Sequence, residues 1–276
     1  MPAIDLARLR KQAARLADFF FLPDEFVKHL HEILDFYVNR SLRTVENIAP
    51  GSVLATYRTP PIVTRQIELE LTGLASENPS QALDLADRLW DEGYLETHML
   101  AAFLLGRIPP QEEQEDRLLA RLTAWTSQVR DPSVRSALLT TSLARLRKET
   151  PTQFLELIKE WLHPKRTRTW SNGIQALLPL ISDPDFQNLP PVLDIVEPVI
   201  EAAPSLIQLD LEDLIQALYK ASPTETTYFL RQVLSESKEP MTVITMRRIA
   251  SSFPLELQAE LRDLLRSPNP LSTKGG

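Results

Sequence analysis

The chain of 276 residues contains no cysteine and only four histidines. The absence of cysteine excludes disulfides, thiolate metal sites and a cysteine nucleophile. His29 and His31 are two positions apart and lie on different faces of a helix, so we predict no histidine metal site. The apolar cluster 19–22 is far shorter than the ~18 residues that a membrane span needs. No metal, cofactor or membrane partner is therefore expected.

The N-terminus also lacks the features of a secretory signal. Asp5 comes early, and no apolar stretch precedes a small-residue cleavage site, so we expect a cytoplasmic protein. Glycine is scarce, with 7 glycines against 22 prolines. Together with the absence of cysteine, this balance is typical of thermophile proteins with stiff loops. Prolines at helix starts explain it equally well.

Apolar residues recur at helical spacing along the whole chain, and no segment alternates strictly between apolar and polar residues. Prolines separate these segments and are well tolerated in the first turn of a helix, so they mark helix starts. The pattern predicts helices at 3–20, 24–40, 61–75, 79–92, 95–107, 112–129, 132–148, 151–162, 169–182, 190–202, 210–221, 224–236, 240–252 and 255–266.

The spacing of these helices predicts the architecture. Helix pairs recur about every 35–45 residues, which is typical of HEAT-type repeats. We predict an all-α fold, a HEAT-like helical-repeat solenoid (an α–α superhelix) that forms a single domain over residues 1–266. Residues 1–45 form its N-terminal helix pair and cap, and residues 267–276 form a disordered tail.

The net charge of -7 hides three blocks of alternating sign. Residues 77–116 hold ten acids and two bases, residues 117–173 hold eleven bases and four acids, and residues 174–239 hold eleven acids and three bases. A basic face on a solenoid can follow a phosphate backbone. Alternatively, these bases pair with the flanking acidic repeats or lie on solvated outer faces.

Four segments resemble, in order and spacing, those of the bacterial DNA alkylation repair family, the HEAT-like-repeat alkylpurine DNA glycosylases. The resemblance covers about residues 50–265, and each motif consists mainly of helix-packing residues. The segments are ADRLWDEGYLE at 86–96, LLARLTAWTSQV at 118–129, LIKEWL at 157–162 followed by Thr169 and Trp170, and SPTETTYFLR at 222–231.

The resemblance implies base excision, in which a carboxylate stabilises a cationic sugar, aromatic residues stack on the deoxyribose and arginines pair with phosphate. In this chain the aromatic position falls on Pro132 and the carboxylate position on Ser136. The expected arginines are replaced by the segment 171–173. Asp131 is better explained as the N-cap of the helix that begins at Pro132. We therefore expect a member of the family that is not an enzyme.

The four tryptophans divide into two groups. Trp90, Trp125 and Trp161 have core spacing and are expected to pack inside the protein. Trp170 follows a basic loop at a helix start, where it either packs or contacts a sugar-phosphate backbone.

The leading hypothesis is a non-catalytic relative of these glycosylases that binds DNA, damaged or branched forms included, through the central basic face. One alternative is a protein-interaction scaffold that uses the acidic repeats, and another is an active alkylbase DNA glycosylase with an unrecognised carboxylate. The candidate DNA-binding residues are Arg130, Arg135, Lys165, Arg166, Arg168, Trp170, Arg247 and Arg248.

Overall fold

The computed structural model describes residues 4–38, 53–110, 112–202 and 205–236, together with residues 242, 243, 247, 248, 250 and 258. Contacts along the chain divide it into two compact units, Met1–Pro151 and Thr152–Gly276. Within the described ranges the chain is helical and has no strand, and Ala55 and Tyr94 form an isolated bridge. The prediction of an all-α fold is confirmed. A single solenoid over 1–266, its cap at 1–45 and its superhelical form stay predictions.

The helices of the first unit stack in two rows. Helices α1, α3, α5 and α7 pack on one another in chain order, and α2, α4 and α6 form a second row packed against the first. This alternation is typical of helical-repeat proteins. The helices are α1 (Leu6–Ala17), α2 (Pro23–Phe36), α3 (Pro61–Glu77), α4 (Pro79–Trp90), α5 (Leu95–Leu105), α6 (Glu112–Gln128), α7 (Pro132–Thr140) and α8 (Ala144–Glu149).

In the second unit, α10 packs on α12, and α13 packs on both α11 and α12. The Gln175 side chain of α10 donates to the Asp210 carboxylate of α12 at 2.7 Å. Its helices are α9 (Pro151–Trp161), whose first residue ends the first unit, α10 (Trp170–Ile181), α11 (Pro190–Ala202), α12 (Gln208–Ala221) and α13 (Pro223–Glu236). The helices predicted at 240–252 and 255–266 and the tail at 267–276 lie largely or wholly outside the described residues.

Proline defines where most of these helices begin, as predicted. Its fixed φ suits the first turn, where a backbone N–H would have no partner in the helix. Helix α1 begins differently, because the Asp5 carboxylate accepts from the backbone N–H groups of Ala7 and Arg8 at 3.0 and 3.1 Å. No helix of the described part is long and apolar enough to cross a membrane.

One predicted helix, 132–148, is interrupted. Helix α7 ends at Thr140 and α8 begins at Ala144, because the intervening turn packs against the C-terminal end of α5. The Ser142 hydroxyl donates to the Ala102 carbonyl oxygen at 2.7 Å. A Cβ at Gly106 would lie 2.2 Å from the Thr141 carbonyl oxygen, so only glycine permits this approach. The tertiary contact overrides a helix-favouring sequence.

Candidate nucleic-acid interface

In the first unit, two arginines of α6 form ion pairs with the preceding helix of the same row. The Arg121 guanidinium binds both carboxylate oxygens of Asp87, at 2.9 and 2.6 Å. Arg117 binds Asp84 at 2.9 Å. The hydrogen bonds to Asp87 raise the pKa of Arg121 above its usual value. For these two arginines, the interpretation that the basic block pairs with an acidic repeat is correct.

A third arginine of the basic block serves as a structural tie. Arg145 on α8 pairs with Glu149 at 2.6 Å and donates to the Arg107 carbonyl oxygen, also at 2.6 Å. It also donates to the Ser76 hydroxyl of α3 at 3.2 Å. This guanidinium is therefore committed to holding α8 against the end of α5.

Arg130 and Arg135 are the candidate DNA contacts of the first unit. Arg130 is exposed in the turn before α7, and none of the described carboxylates lies within 4.0 Å of it. Arg135 is half-buried on α7. Arg130 is thus accessible to a phosphate from solvent, whereas Arg135 is only partly accessible.

The candidates of the second unit include a basic loop, which we define as residues 163–169, between α9 and α10. Its three cationic side chains, Lys165, Arg166 and Arg168, are all exposed. Arg166 pairs with Glu160 at 2.5 Å, and both partners are about half exposed. Among the described residues, no carboxylate lies within 4.0 Å of Lys165 or Arg168. Two unpaired cations and one weakly held cation therefore face solvent together.

Trp170, one of the DNA-binding candidates, is buried, which counts against direct contact of its ring with DNA. Its side chain is 3% exposed, and its indole N–H donates to the His163 carbonyl oxygen at 3.0 Å. The same carbonyl accepts from the Arg166 N–H at 2.8 Å, and the Thr169 hydroxyl donates to the Arg166 carbonyl oxygen at 2.8 Å. Trp170 therefore anchors the backbone of the basic loop from the protein interior. It is buried because its ring is largely apolar.

The remaining candidates, Arg247 and Arg248, are exposed, and most of their neighbours in sequence lie outside the described residues. The packing predicted for the other tryptophans is confirmed for Trp125 and Trp161, which are buried. Trp90 is half-buried and stacks on Trp125, with ring centroids 4.2 Å apart.

Asp131 caps α7, as predicted. One carboxylate oxygen accepts from the Ser133 and Val134 N–H groups at 2.9 and 3.1 Å, and the other accepts from the Val53 N–H at 3.0 Å. The side chain is 1% exposed. Both carboxylate oxygens of Asp131 thus bind backbone N–H groups, and the residue has a structural role. The neighbouring Ser136 is exposed on α7.

A segment that no sequence pattern singled out, residues 53–60, precedes α3. Glu96 on α5 holds it, accepting from the Thr56 hydroxyl at 2.9 Å and from the N–H groups of Tyr57 and Arg58 at 3.2 and 2.9 Å. Arg58 has a φ of 57°, in the left-handed region that a non-glycine residue adopts at a cost. The three hydrogen bonds to a carboxylate offset that strain.

A hydrogen-bond chain fixes the other side of this segment. His31 on α2 contacts the Tyr57 hydroxyl at 2.8 Å and Glu92 at 2.7 Å. Burial, with Tyr94 beside it, raises the pKa of Tyr57 to about 12, so the hydroxyl keeps its proton. Burial alone would raise the pKa of Glu92, but hydrogen bonds from Arg88 and His31 lower it below its usual value.

Two adjoining cavities lie beside this segment. Their volumes are about 270 and 480 Å³. Pro61, Thr64 and Glu68 of α3 line both of them, so we name the pair the α3 cleft. Its inner part is walled by the apolar side chains of Leu30, Leu34, Ile67, Leu95, Met99 and Leu100 and by the polar side chains of Thr56, Arg58, Thr59 and Glu96. Its outer part is walled by Arg65, Leu69, Thr72, Phe103 and Arg107. Within the described ranges, no three His, Asp or Glu side chains converge as metal ligands.

Comparison with known proteins identifies the family of this chain. A family model described as DNA alkylation repair enzyme matches residues 62–253. No curated protein and no solved structure matches the chain. The expectation that the protein is not an enzyme, drawn from Pro132 and Ser136, is wrong, because the matched family is one of enzymes. The match spans well over half of the chain, which therefore belongs to the DNA alkylation repair enzyme family.

Proposed function

We propose that the protein is a DNA-binding member of this repair-enzyme family and that the basic loop, residues 163–169, contacts the phosphate backbone. The observation that supports this most is the exposure of Lys165 and Arg168 without a described carboxylate within 4.0 Å. Phosphate oxygens are the partners that such cations bind in nucleic acids. A cytoplasmic location belongs to the same proposal.

The net charge of -7 makes a local contact surface necessary. At long range the protein repels DNA, so affinity must come from a few cations close to the phosphates, where counterion release favours binding. Arg166 adds to this set, because its ion pair with Glu160 is half exposed and such pairs contribute little to stability. A phosphate can replace Glu160 at small cost.

The loop is also held in shape before any ligand arrives. Trp170 is buried beneath it and holds its backbone through the His163 carbonyl. A loop that is already ordered loses less conformational entropy when it binds. Three cations on an ordered loop therefore form a better phosphate contact than three cations on a flexible one.

The test is fluorescence anisotropy with duplex, nicked and branched DNA at several salt concentrations. We expect a log–log salt slope of about -2.7 if the three loop cations neutralise three phosphates, at about -0.9 each. The triple variant Lys165→Glu, Arg166→Glu and Arg168→Glu should abolish binding, while circular dichroism should show an unchanged helix content.

The matched control reverses three exposed cations of α1, Arg10, Lys11 and Arg15, and changes the net charge by the same amount. It should keep most of the affinity. If both triple variants lose the same affinity for DNA, the loss comes from the change in overall charge, and the proposed contact of the loop with phosphate is refuted. If no DNA form binds at low salt, the protein-interaction scaffold becomes the better hypothesis. Reversals at Arg130 with Arg135, and at Arg247 with Arg248, test whether those pairs extend the interface.

A further inference from the structure

Arg107 is held in place just after the C-terminal end of α5. Its carbonyl oxygen accepts from the Arg145 guanidinium at 2.6 Å and from the Ser76 hydroxyl at 3.1 Å. Its own guanidinium lies over the Phe103 ring, 4.7 Å from the ring centroid. The attraction of a cation to an aromatic ring restricts the side chain without neutralising its charge. Arg107 therefore loses less conformational entropy than a freely moving arginine when an anion binds to it.

Arg65 of α3 lines the same outer cavity of the α3 cleft as Arg107. Both side chains are exposed, and no described carboxylate lies within 4.0 Å of either guanidinium. The outer cavity has a volume of about 480 Å³, which is within the range of small-molecule sites. Two guanidiniums that share one cavity favour a ligand with more than one negative charge.

Glu68 is the only acid among the described residues that line the outer cavity. Burial raises the pKa of Glu68, and the nearby charges of Arg107 and Arg65 partly oppose this shift. Both arginines are thus close enough to act on the carboxylate, although neither forms an ion pair with it within 4.0 Å. The other two charged residues of the cleft, Arg58 and Glu96, line only the inner cavity, where Glu96 accepts from the Arg58 N–H at 2.9 Å.

We propose that the outer cavity of the α3 cleft binds a phosphomonoester, the phosphate at the end of a DNA strand, through Arg65 and Arg107. A phosphomonoester carries close to two negative charges at neutral pH, whereas a phosphodiester inside a strand carries one. The two charges match the two guanidiniums, each of which can bind two phosphate oxygens at once. A terminal group also suits a cavity, because a strand continues from only one side of it.

The site lies in the first unit and does not involve the basic loop, which lies in the second. Inorganic phosphate and free nucleotides carry the same chemical group as a strand end. The choice of a DNA end among these sources rests on the DNA binding proposed above. The phosphate chemistry of the cavity does not depend on that choice.

Fluorescence anisotropy of the full chain tests the site with one single-stranded oligonucleotide that ends in either a 5′-phosphate or a 5′-hydroxyl. We expect the phosphorylated strand to bind about tenfold more tightly. The double variant Arg65→Gln and Arg107→Gln should remove this preference and keep most of the affinity for the hydroxyl strand. The control neutralises two exposed cations of α1, Arg10 and Lys11, and changes the net charge by the same amount. It should keep the preference.

Glu68→Gln is a stringent test, because its expected effect is a gain. The carboxylate repels a bound phosphate, so its removal should increase the preference for the phosphorylated strand about threefold. A merely structural role of Glu68 would give no change or a loss. Glu77→Gln, at an exposed position on the same helix, should leave the preference unchanged.

Titration calorimetry with inorganic phosphate and with thymidine 5′-monophosphate tests the cavity without a DNA strand. Both should bind at about millimolar concentration, and the double variant should lose both. Tighter binding of the nucleotide supports a strand end as the ligand, and equal affinities identify the phosphate group alone as sufficient. The loop reversals described above should leave these titrations unchanged, so failure of the basic loop would not alter this result.

Four results would each refute the proposal. They are the absence of binding of either small anion at about ten millimolar, the absence of a preference for the phosphorylated strand, a preference that survives in the double variant, and a lower preference in Glu68→Gln. None of them would remove the DNA contact proposed for the basic loop.

Discussion

Trp170 allows a quantitative test of how the basic loop is held. Its indole is 3% exposed, and its N–H donates to the His163 carbonyl oxygen. Truncation of Trp170 to Ala removes the whole buried ring and leaves a cavity, which costs about 3–5 kcal/mol of unfolding free energy. Trp170→Phe keeps most of the apolar contact but loses the hydrogen bond and some volume, for about 1–2 kcal/mol.

Urea unfolding followed by circular dichroism measures both changes, since fluorescence would be altered by removal of a tryptophan itself. Tyr228→Phe is the control, because Tyr228 is 71% exposed in the same unit and its change should stay within about 0.5 kcal/mol. Trp170→Phe should also weaken DNA binding under conditions where the protein is fully folded. A cost below about 1 kcal/mol for Trp170→Ala would refute the description of Trp170 as the anchor of the loop.

Three further predictions concern the first unit and use the same unfolding measurement. Asp131→Ala should cost about 2–3 kcal/mol, because it leaves three backbone N–H groups without their acceptor; a cost under about 0.5 kcal/mol would contradict the capping role. Gly106→Ala should cost about 2–4 kcal/mol through the clash with the Thr141 carbonyl, whereas Gly73→Ala, with open space around its Cβ, should stabilise by about 0.5–1 kcal/mol. Burial lowers the pKa of His98 below its usual 6.5, so at acidic pH the unfolded chain binds a proton that the folded chain does not. The free energy of unfolding should therefore fall from pH 7 to pH 5, by at most about 1.4 kcal/mol per pH unit. His98→Asn should make this fall shallower, and equal slopes in the two proteins would count against the effect.

The sequence predicts the helices well where a local signal decides their ends. Proline in the first turn marks the starts of α2, α3, α4, α7, α9, α11 and α13, because its effect on φ and on the missing N–H is local. The break between α7 and α8 could not be predicted in this way. It depends on contacts of Gly106 and Ala102 with a turn about 35–40 residues later, and no local pattern reports them.

The candidate site was harder to predict than the fold. Counting charges identified the basic block correctly but could not tell which cations are paired, because pairing depends on which helices are neighbours. In hindsight the spacing of Asp84 and Asp87 on α4 and of Arg117 and Arg121 on α6 carries a signal, since both pairs lie on one helix face. Glu68 carries no such signal, because a glutamate in a helix is ordinarily a solvated residue.

The expectation of a non-enzyme shows a different error. It rested on Pro132, Ser136 and the segment 171–173, and treated the identity of these residues as decisive for the whole chain. A catalytic carboxylate can be supplied from another helix, so the identity of one position does not determine whether a fold is an enzyme.

The ion pairs between α4 and α6 have a consequence for how the repeats recognise one another. At this step of the row, Asp84 and Asp87 of α4 face Arg117 and Arg121 of α6. At the step before it, Asp24 of α2 pairs with Arg88 of α4, so the earlier helix supplies the carboxylate at both steps. If the helix pair α3 and α4 were deleted, the carboxylate of α2 would meet the arginines of α6, and the new junction would still join opposite charges. Charge in this row therefore favours one direction of stacking without fixing the number of repeats, as in arrays of identical consensus repeats.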